Sequence, residues 1–97
     1  MKIKAEIHFY LNSGRKSNFN NGYMAQFLIR PDKMFNSFEV KYIDKESVAP
    51  GETVLGIIRF FIAPELVKDY LAVGKEFKIF EGMHVMGEGK ILELLGD

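Results

Sequence analysis

The segment FKIFEGMHVMGEG (residues 77–89) contains residue types that could bind phosphate. Gly82 and Gly87 have the spacing of a GxxxxG phosphate loop, which must continue with Lys and then Ser or Thr to hold phosphate and magnesium. Here Glu88 and Gly89 follow, and the Glu88 carboxylate would repel phosphate. The flanking residues favour a strand–turn–strand unit, which offers no helix N-terminus to an anion. The segment therefore does not predict a phosphate site.

A metal site is the second kind of chemistry that this segment suggests, because His84 lies between the carboxylates Glu81 and Glu88. Zinc sites combine several His, Cys or carboxylate ligands at fixed spacing. The chain has no Cys and 2 His, and the other histidine, His8, falls on a different predicted strand. We therefore expect His84 to be a solvated surface histidine, and we predict no metal and no cofactor.

Nucleophilic catalysis has little support in the sequence. The serines occur in predicted loops or at the start of a strand, outside any nucleophile-elbow pattern, and neither histidine has an evident partner to orient it. We predict no catalytic residue and a protein that is not an enzyme. Gly82 is interpreted as the turn between two strands, and Gly87 and Gly89 as bends in the second of them.

The composition is that of one globular domain of 97 residues, with 47% hydrophobic and 27% charged residues. The absence of Cys excludes a disulfide framework and suits a cytoplasmic protein. The N-terminus alternates charged and apolar residues, unlike a signal peptide, and no apolar run approaches the roughly 18 residues of a membrane helix. Because 13 basic residues balance 13 acidic ones, we expect neither DNA nor a membrane as a partner, although a local basic patch is compatible with RNA.

Apolar and polar residues alternate with a period of two in several short segments, which predicts β-strands. Residues 11–22, rich in Asn, Ser and Gly, predict a long exposed loop, and residues 65–73 predict one or two helical turns. The predicted strands are residues 2–11, 23–30, 37–43, 53–62, 75–80 and 84–95. Six short strands with turn signals between them are typical of an all-β barrel or sandwich in a single domain, residues 1–97.

Three segments, GRKSNFNNGYMAQF, VAPGE and FKIFEGMHVMGEGKI, together resemble the C-terminal domain of elongation factor Tu. That family reads approximately GRHTxFxxGYRPQFYFRT, then MPGD, then FAIREGGRTVGAGVV. The match spans nearly the whole chain in the same order and spacing. The resemblance implies a six-stranded antiparallel β-barrel, the third domain of that GTPase. No phosphate loop occurs in the sequence, so the resemblance does not extend to GTP binding or hydrolysis.

In the family, this domain helps to hold the T-stem backbone of aminoacyl-tRNA, contacts the nucleotide-exchange partner and packs on the other two domains. Some of the positions that face tRNA in the family have the same residues in this chain. Arg15 matches the arginine of GRHT, Gln26 the glutamine of PQF, and Glu81 with Gly82 the EG of REGG. Together with Lys16, these residues imply a module that binds the tRNA T-stem, in which Glu81 would contribute geometry, since a carboxylate does not attract phosphate.

Five positions depart from the family pattern. Phe80 replaces the arginine of REGG, Met83 the next glycine and His84 the arginine before TVG, while Met24 replaces the arginine of GYRPQ and Phe35 lies about where a threonine contacts the tRNA backbone. Losing cationic contacts weakens phosphate binding, whereas aromatic and Met side chains are enriched in protein–protein interfaces. We therefore expect, first, a module that binds a protein through these five residues and, as the alternative, a tRNA-binding module.

A further apolar face is predicted on the fourth strand, where Leu55, Ile57 and Phe61 point to the same side. In the family such faces are buried by neighbouring domains, so here the face needs a protein partner, a second copy in a homodimer, or exposure as a modest patch. The expected partner is translation machinery, or a factor that binds elongation factor Tu and for which this chain is a mimic. A third interpretation is that the chain is a piece of a longer translation factor, although a strand starting directly after Met1 favours an independent chain.

Overall fold

Six antiparallel strands close into a barrel, which confirms the predicted fold class. The structure, a computed structural model, describes residues 1–96. Around the barrel the strands follow the order β1-β6-β4-β3-β7-β8, and β8 returns to β1, while β2 and β5 form a separate two-stranded sheet. The strands are β1 (Lys2–Phe9), β2 (Phe19–Asn20), β3 (Tyr23–Arg30), β4 (Lys33–Tyr42), β5 (Ser47–Val48), β6 (Thr53–Phe60), β7 (Glu76–Glu81) and β8 (His84–Gly96).

The barrel interior is filled by the apolar residues of each alternating strand, with aromatic rings at its centre. Phe27 stacks on Phe77 with ring centroids 4.3 Å apart, and Phe60 meets Phe27 edge-on at 4.9 Å. Burial alternates along β1 and β3, as period-two patterns require when one face of a sheet is buried. The outward residues of these strands therefore form the side surface of the barrel.

A short helix closes one end of the interior, where the sequence predicts one or two helical turns. Helix α1 (Pro64–Val67) begins with proline in its first turn, where the missing N–H costs nothing, and a 3-10 turn (Lys68–Tyr70) follows. Val67 and Leu71 are buried against the core. Within residues 1–96, no helix has both the length and the apolar character needed to cross a membrane.

Gly82 forms the turn between β7 and β8 with a φ of +62°, which confirms its predicted role. Gly87 and Gly89 have a packing role that the sequence did not predict. Both lie where β8 pairs with β1 and β7. A Cβ on Gly87 would lie 2.5 Å from the carbonyl oxygen of His8, and a Cβ on Gly89 would overlap the Phe77 ring.

Phe35 is not on the surface, which corrects the prediction that it belongs to a protein-binding surface. Its side chain is 4% exposed and packs edge-on against Tyr70, with ring centroids 5.3 Å apart. The reason is that β4 starts at Lys33, four residues before the predicted start, and a bulge at Ser37 shifts its pairing with β3. The bulge lets Phe35 and Phe38 both point inward although they are three residues apart.

The segment between β1 and β3 is anchored, whereas the sequence predicted a long exposed loop. Phe19 is fully buried and stacks on Phe9, with ring centroids 4.0 Å apart. The backbone beside it pairs with β5 in the two-stranded sheet. Because this buried ring anchors the segment, the polar residues before it are held close to the β7–β8 turn.

Candidate functional site

Four outward residues on neighbouring strands form the surface that we call the Phe80 face: Met24 and Gln26 on β3, Phe80 on β7 and Val85 on β8. Gln26 is the register partner of Phe80, and Phe80 is the partner of Val85. Met24 lies two residues before Gln26 on the same side of β3. The barrel thus brings residues of three strands into one outward patch.

The Phe80 face exposes apolar surface that the barrel does not need for its own core. Met24 is 54% exposed, while Phe80 and Val85 are half-buried by their neighbours on the sheet. Met83 stands at the tip of the β7–β8 turn, next to this face, and is 94% exposed. The structure therefore brings together Met24, Phe80 and Met83 of the five predicted protein-binding residues, and it adds Val85, which the sequence analysis missed.

Val85 and Asn36 could have been found from the sequence only if the bulges were known. Val85 faces outward because Met86, which is buried, is an extra residue of β8 between the pairs Ile79–Gly87 and Phe80–Val85. Asn36 pairs with Gln26 across β3 and β4, and its side-chain oxygen accepts a hydrogen bond from Gln26 Nε2 at 2.8 Å. This hydrogen bond fixes the Gln26 amide beside Phe80.

His84 is exposed, as predicted, but it faces a groove rather than the Phe80 face. The groove, of about 560 Å³, lies between the loop after β1 and the β7–β8 turn and is lined by Ser13, Gly14, Arg15, Ser17, Glu81, His84 and Met86. Glu81 and His84 are register partners at the ends of β7 and β8. Lys16 is exposed in the same loop, and Gly82 is exposed in the turn.

Arg15, a predicted tRNA-binding residue, is held by contacts within the protein. Its Nη1 lies 3.1 Å from Glu81 Oε2, its Nη2 donates to the Asn18 carbonyl at 3.1 Å, and its guanidinium lies 4.4 Å from the Phe19 ring centroid. The Tyr23 hydroxyl donates to the same Glu81 oxygen. Burial, followed by the hydrogen bond to Glu81, raises the pKa of Tyr23 well above its usual value.

This network changes what the groove can do chemically. Since Glu81 neutralises Arg15 at a distance of 3.1 Å, a phosphate approaching the guanidinium would also meet a carboxylate. The other arginines are also paired, Arg30 with Asp32 at 3.3 Å and Arg59 with Glu39 at 3.5 Å. Phosphate binding by any of the three arginines would therefore have to compete with an existing carboxylate partner.

A second polar cluster, on the outside of β1, was not predicted from the sequence. His8 Nδ1 lies 2.9 Å from Thr53 Oγ1, and the Tyr10 hydroxyl donates to Glu88 Oε1 at 2.8 Å. Partial burial, and then the hydrogen bond to Glu88, raises the pKa of Tyr10 to about 12. Within residues 1–96, no three His, Asp or Glu side chains come together as a metal ion would require. These contacts tie β1 to its two neighbours in the barrel.

A comparison of the chain with models of known protein families finds no match. The functional interpretation therefore depends on the geometry of the Phe80 face and of the groove beside it.

Proposed function

We propose that this protein is a non-enzymatic binding module that recognises a protein partner through the Phe80 face and the adjacent Met83. The observation that carries this proposal is the exposure of two methionines, Met24 at 54% and Met83 at 94%, near the half-buried Phe80, towards the β7–β8 turn. Aromatic and Met side chains are enriched in protein interfaces, and flexible Met side chains adapt to varied partner surfaces.

The arrangement has the form of a binding hot spot. Phe80 is half-buried between its register partners on β3 and β8, so it would lose less conformational freedom on binding than a fully exposed side chain. The more exposed methionines around it would exclude water from the ring in a complex. Gln26, held by Asn36, adds a polar group that can orient the partner.

The resemblance to the third domain of elongation factor Tu supports a cytoplasmic protein whose partner belongs to translation. The Phe80 face is where this chain replaces cationic residues of that family with apolar ones. A partner that recognises it would carry exposed apolar side chains, unlike the phosphate backbone of tRNA. Phe35 is not part of this surface, and His84 belongs to the groove beside it.

The proposal is tested by affinity capture from the protein's own cell lysate, with and without RNase, followed by titration of the captured protein. We expect a protein that stays bound after RNase treatment. Replacing both Phe80 and Met83 by alanine should then weaken its affinity by about 30-fold or more, because truncation of hot-spot residues costs about 2 kcal/mol or more.

The control is the pair Leu66→Ala with Val73→Ala, which removes two apolar side chains, 62% and 64% exposed, from other parts of the surface. This variant should bind the partner like the wild type. Equal affinity of the Phe80/Met83 variant and the wild type would reject the Phe80 face as the binding surface.

The groove favours one alternative, a tRNA T-stem-binding module, because it brings Arg15, His84 and nearby Lys16 to one side of the β7–β8 turn. Captured tRNA that is lost on RNase treatment would support this alternative over the first proposal. Binding should then fall steeply as salt rises and weaken with Arg15→Ala, since contacts to phosphate release counterions.

A further inference from the structure

The outer side of β6 carries a second apolar surface, which we call the β6 stripe: Ile43, Leu55, Ile57 and Phe61. Leu55 and Ile57 point outward on β6. Phe61 follows the strand and is separated from Ile57 by the outward Arg59, whose guanidinium lies 4.7 Å from the Phe61 ring centroid. Ile43 extends β4 beside them, because its N–H donates to the Leu55 carbonyl at 3.0 Å. Ile43, Leu55 and Phe61 are 40–44% exposed, and Ile57 is half-buried.

Charged residues flank the β6 stripe in a regular arrangement. One row across the sheet runs from Lys4 on β1 to Ile57 and then Lys41 on β4. The next row runs from Glu6 on β1 to Leu55 and then Ile43. Within residues 1–96, no ion pair involves Lys4, Glu6 or Lys41. The two rows therefore present opposite charges on the β1 side of the same apolar stripe.

We propose that the β6 stripe binds a second copy of this chain, through a two-fold axis that crosses β6 between the Leu55 and Ile57 rows. The two β6 strands then run antiparallel, face to face. Leu55 of one copy packs on Ile57 of the other. On the β1 side of the stripe, Lys4 of each copy lies opposite Glu6 of the other copy. Lys41 lies over Ile43 of the second copy, so no like charges oppose each other in these rows.

Charge complementarity selects this axis over the neighbouring ones. An axis through the Ile57 row would place Lys4 against Lys4 of the second copy, and an axis through the Leu55 row would place Glu6 against Glu6. An axis parallel to β6 would place Lys4 against Lys41. Because like charges in close opposition are costly, only the axis between the two rows gives attraction at both ends. The net charge of zero adds no long-range repulsion between copies.

The dimer is expected to be weak. The stripe is narrow and lies on a convex barrel, so its area falls at the small end of specific interfaces. We expect a dissociation constant weaker than about 1 μM. The surface is separate from the Phe80 face, since β6 and β7 are three strands apart in either direction around the barrel.

Sedimentation equilibrium of the purified chain, from about 10 μM to about 1 mM, tests the self-association. We expect the average mass to rise from monomer towards dimer across this range. Leu55→Asp should lower the association constant by about tenfold or more, because it buries an unpaired charge. Leu92→Asp, at an outward residue of similar exposure, 39%, on β8, is the control and should associate like the wild type.

A charge-reversal pair tests the two-fold axis itself. Lys4→Glu gives each copy two acidic residues on this flank, and Glu6→Lys gives each copy two basic ones, so each variant alone should lose self-association. Mixed in equal amounts, the two variants should form a heterodimer, because each acidic residue then meets a basic one. Circular dichroism checks that both exposed substitutions leave the barrel folded.

A wild-type chain that stays monomeric up to about 1 mM would overturn the proposal and leave the stripe to a different protein. An association constant that Leu55→Asp leaves unchanged would overturn it as well, because self-association would then involve a different surface. If both charge variants still dimerise, or if their mixture does not, the axis between the Leu55 and Ile57 rows is wrong.

Discussion

At the scale of single residues, the partner of a side chain decides its role more than its type does. Arg15 matches a tRNA-binding arginine of the family that the chain resembles, yet it is held by Glu81 and stacked over Phe19. Glu81 also accepts a hydrogen bond from the Tyr23 hydroxyl, so one carboxylate is the partner of both Arg15 and Tyr23. These residues link the loop after β1 to β7 and thereby shape the groove.

The buried tyrosines predict a loss of stability at alkaline pH. Burial raises the pKa of Tyr23 and Tyr42 above the ordinary value of 10.0. In the unfolded chain these phenols ionise near pH 10, whereas in the folded protein they keep their protons. Their contribution to stability is therefore complete below pH 10 and is lost as pH rises above it, by about 1.4 kcal/mol per pH unit for each tyrosine.

Urea unfolding at pH 8 and at pH 11 measures this effect. The double substitution Tyr23→Phe with Tyr42→Phe should reduce the difference in unfolding free energy between the two pH values by about 3 kcal/mol. The comparison at pH 8 is the control, since both tyrosines are protonated there in the folded and unfolded states. If the double variant loses as much unfolding free energy between pH 8 and pH 11 as the wild type, groups other than these tyrosines cause the loss of stability.

At the scale of elements, β8 joins the two surfaces of the site to the barrel. It pairs with β1 on one side and β7 on the other. Its first two residues are His84, which lines the groove, and Val85, which belongs to the Phe80 face. Gly87 and Gly89 permit this pairing because their missing side chains leave room for the backbone of β1 and for the Phe77 ring.

Adding a methyl group at these glycines should destabilise the protein. For Gly89→Ala and Gly87→Ala we expect a loss of about 1–3 kcal/mol in unfolding free energy, because overpacking forces the backbone or a core ring to move. The control is Gly14→Ala, where nothing lies within 4 Å of an added Cβ, so that only the positive φ of +90° resists the change. Denaturant unfolding measures all three, and a smaller loss for Gly89→Ala than for Gly14→Ala would contradict the packing argument.

The element boundaries were predicted well where alternation is regular. Strand β3 is residues 23–30 in both the prediction and the structure. The prediction failed where a bulge interrupts the alternation, in β4, and where one buried ring anchors a polar loop, at Phe19. A bulge depends on pairing with another strand, so it cannot be predicted from a local sequence pattern.

At the scale of the whole molecule, the barrel order places the Phe80 face and the β6 stripe on opposite sides. A dimer formed through the stripe would carry two Phe80 faces pointing away from each other. Such a dimer could bind two copies of a partner, or two sites on one assembly, with the gain in apparent affinity that bivalent binding gives.

We predict that the two surfaces act independently. Leu55→Asp should lower the association constant for self-association by about tenfold or more and leave the affinity of a single Phe80 face for the captured partner within about twofold, while Phe80→Ala with Met83→Ala should do the reverse. Substitutions at distant sites with no shared neighbours usually add. Sedimentation and titration on the same samples measure both properties, and a Leu55→Asp variant that loses the partner would show that dimerisation is needed for binding.

Local sequence patterns were enough to predict the six barrel strands and the all-β class, because period-two alternation and turn residues act over a few neighbours, while the surface position of Met24 and Met83 was predicted from the family resemblance. The tertiary structure alone decided that Phe35 points inward, that Arg15 is occupied by Glu81, 66 residues away, and that Gln26, Phe80 and Val85 share one face. The physical reason is register. Which residues meet across a sheet depends on the packing of the whole barrel, and a single bulge reverses the direction of every side chain beyond it.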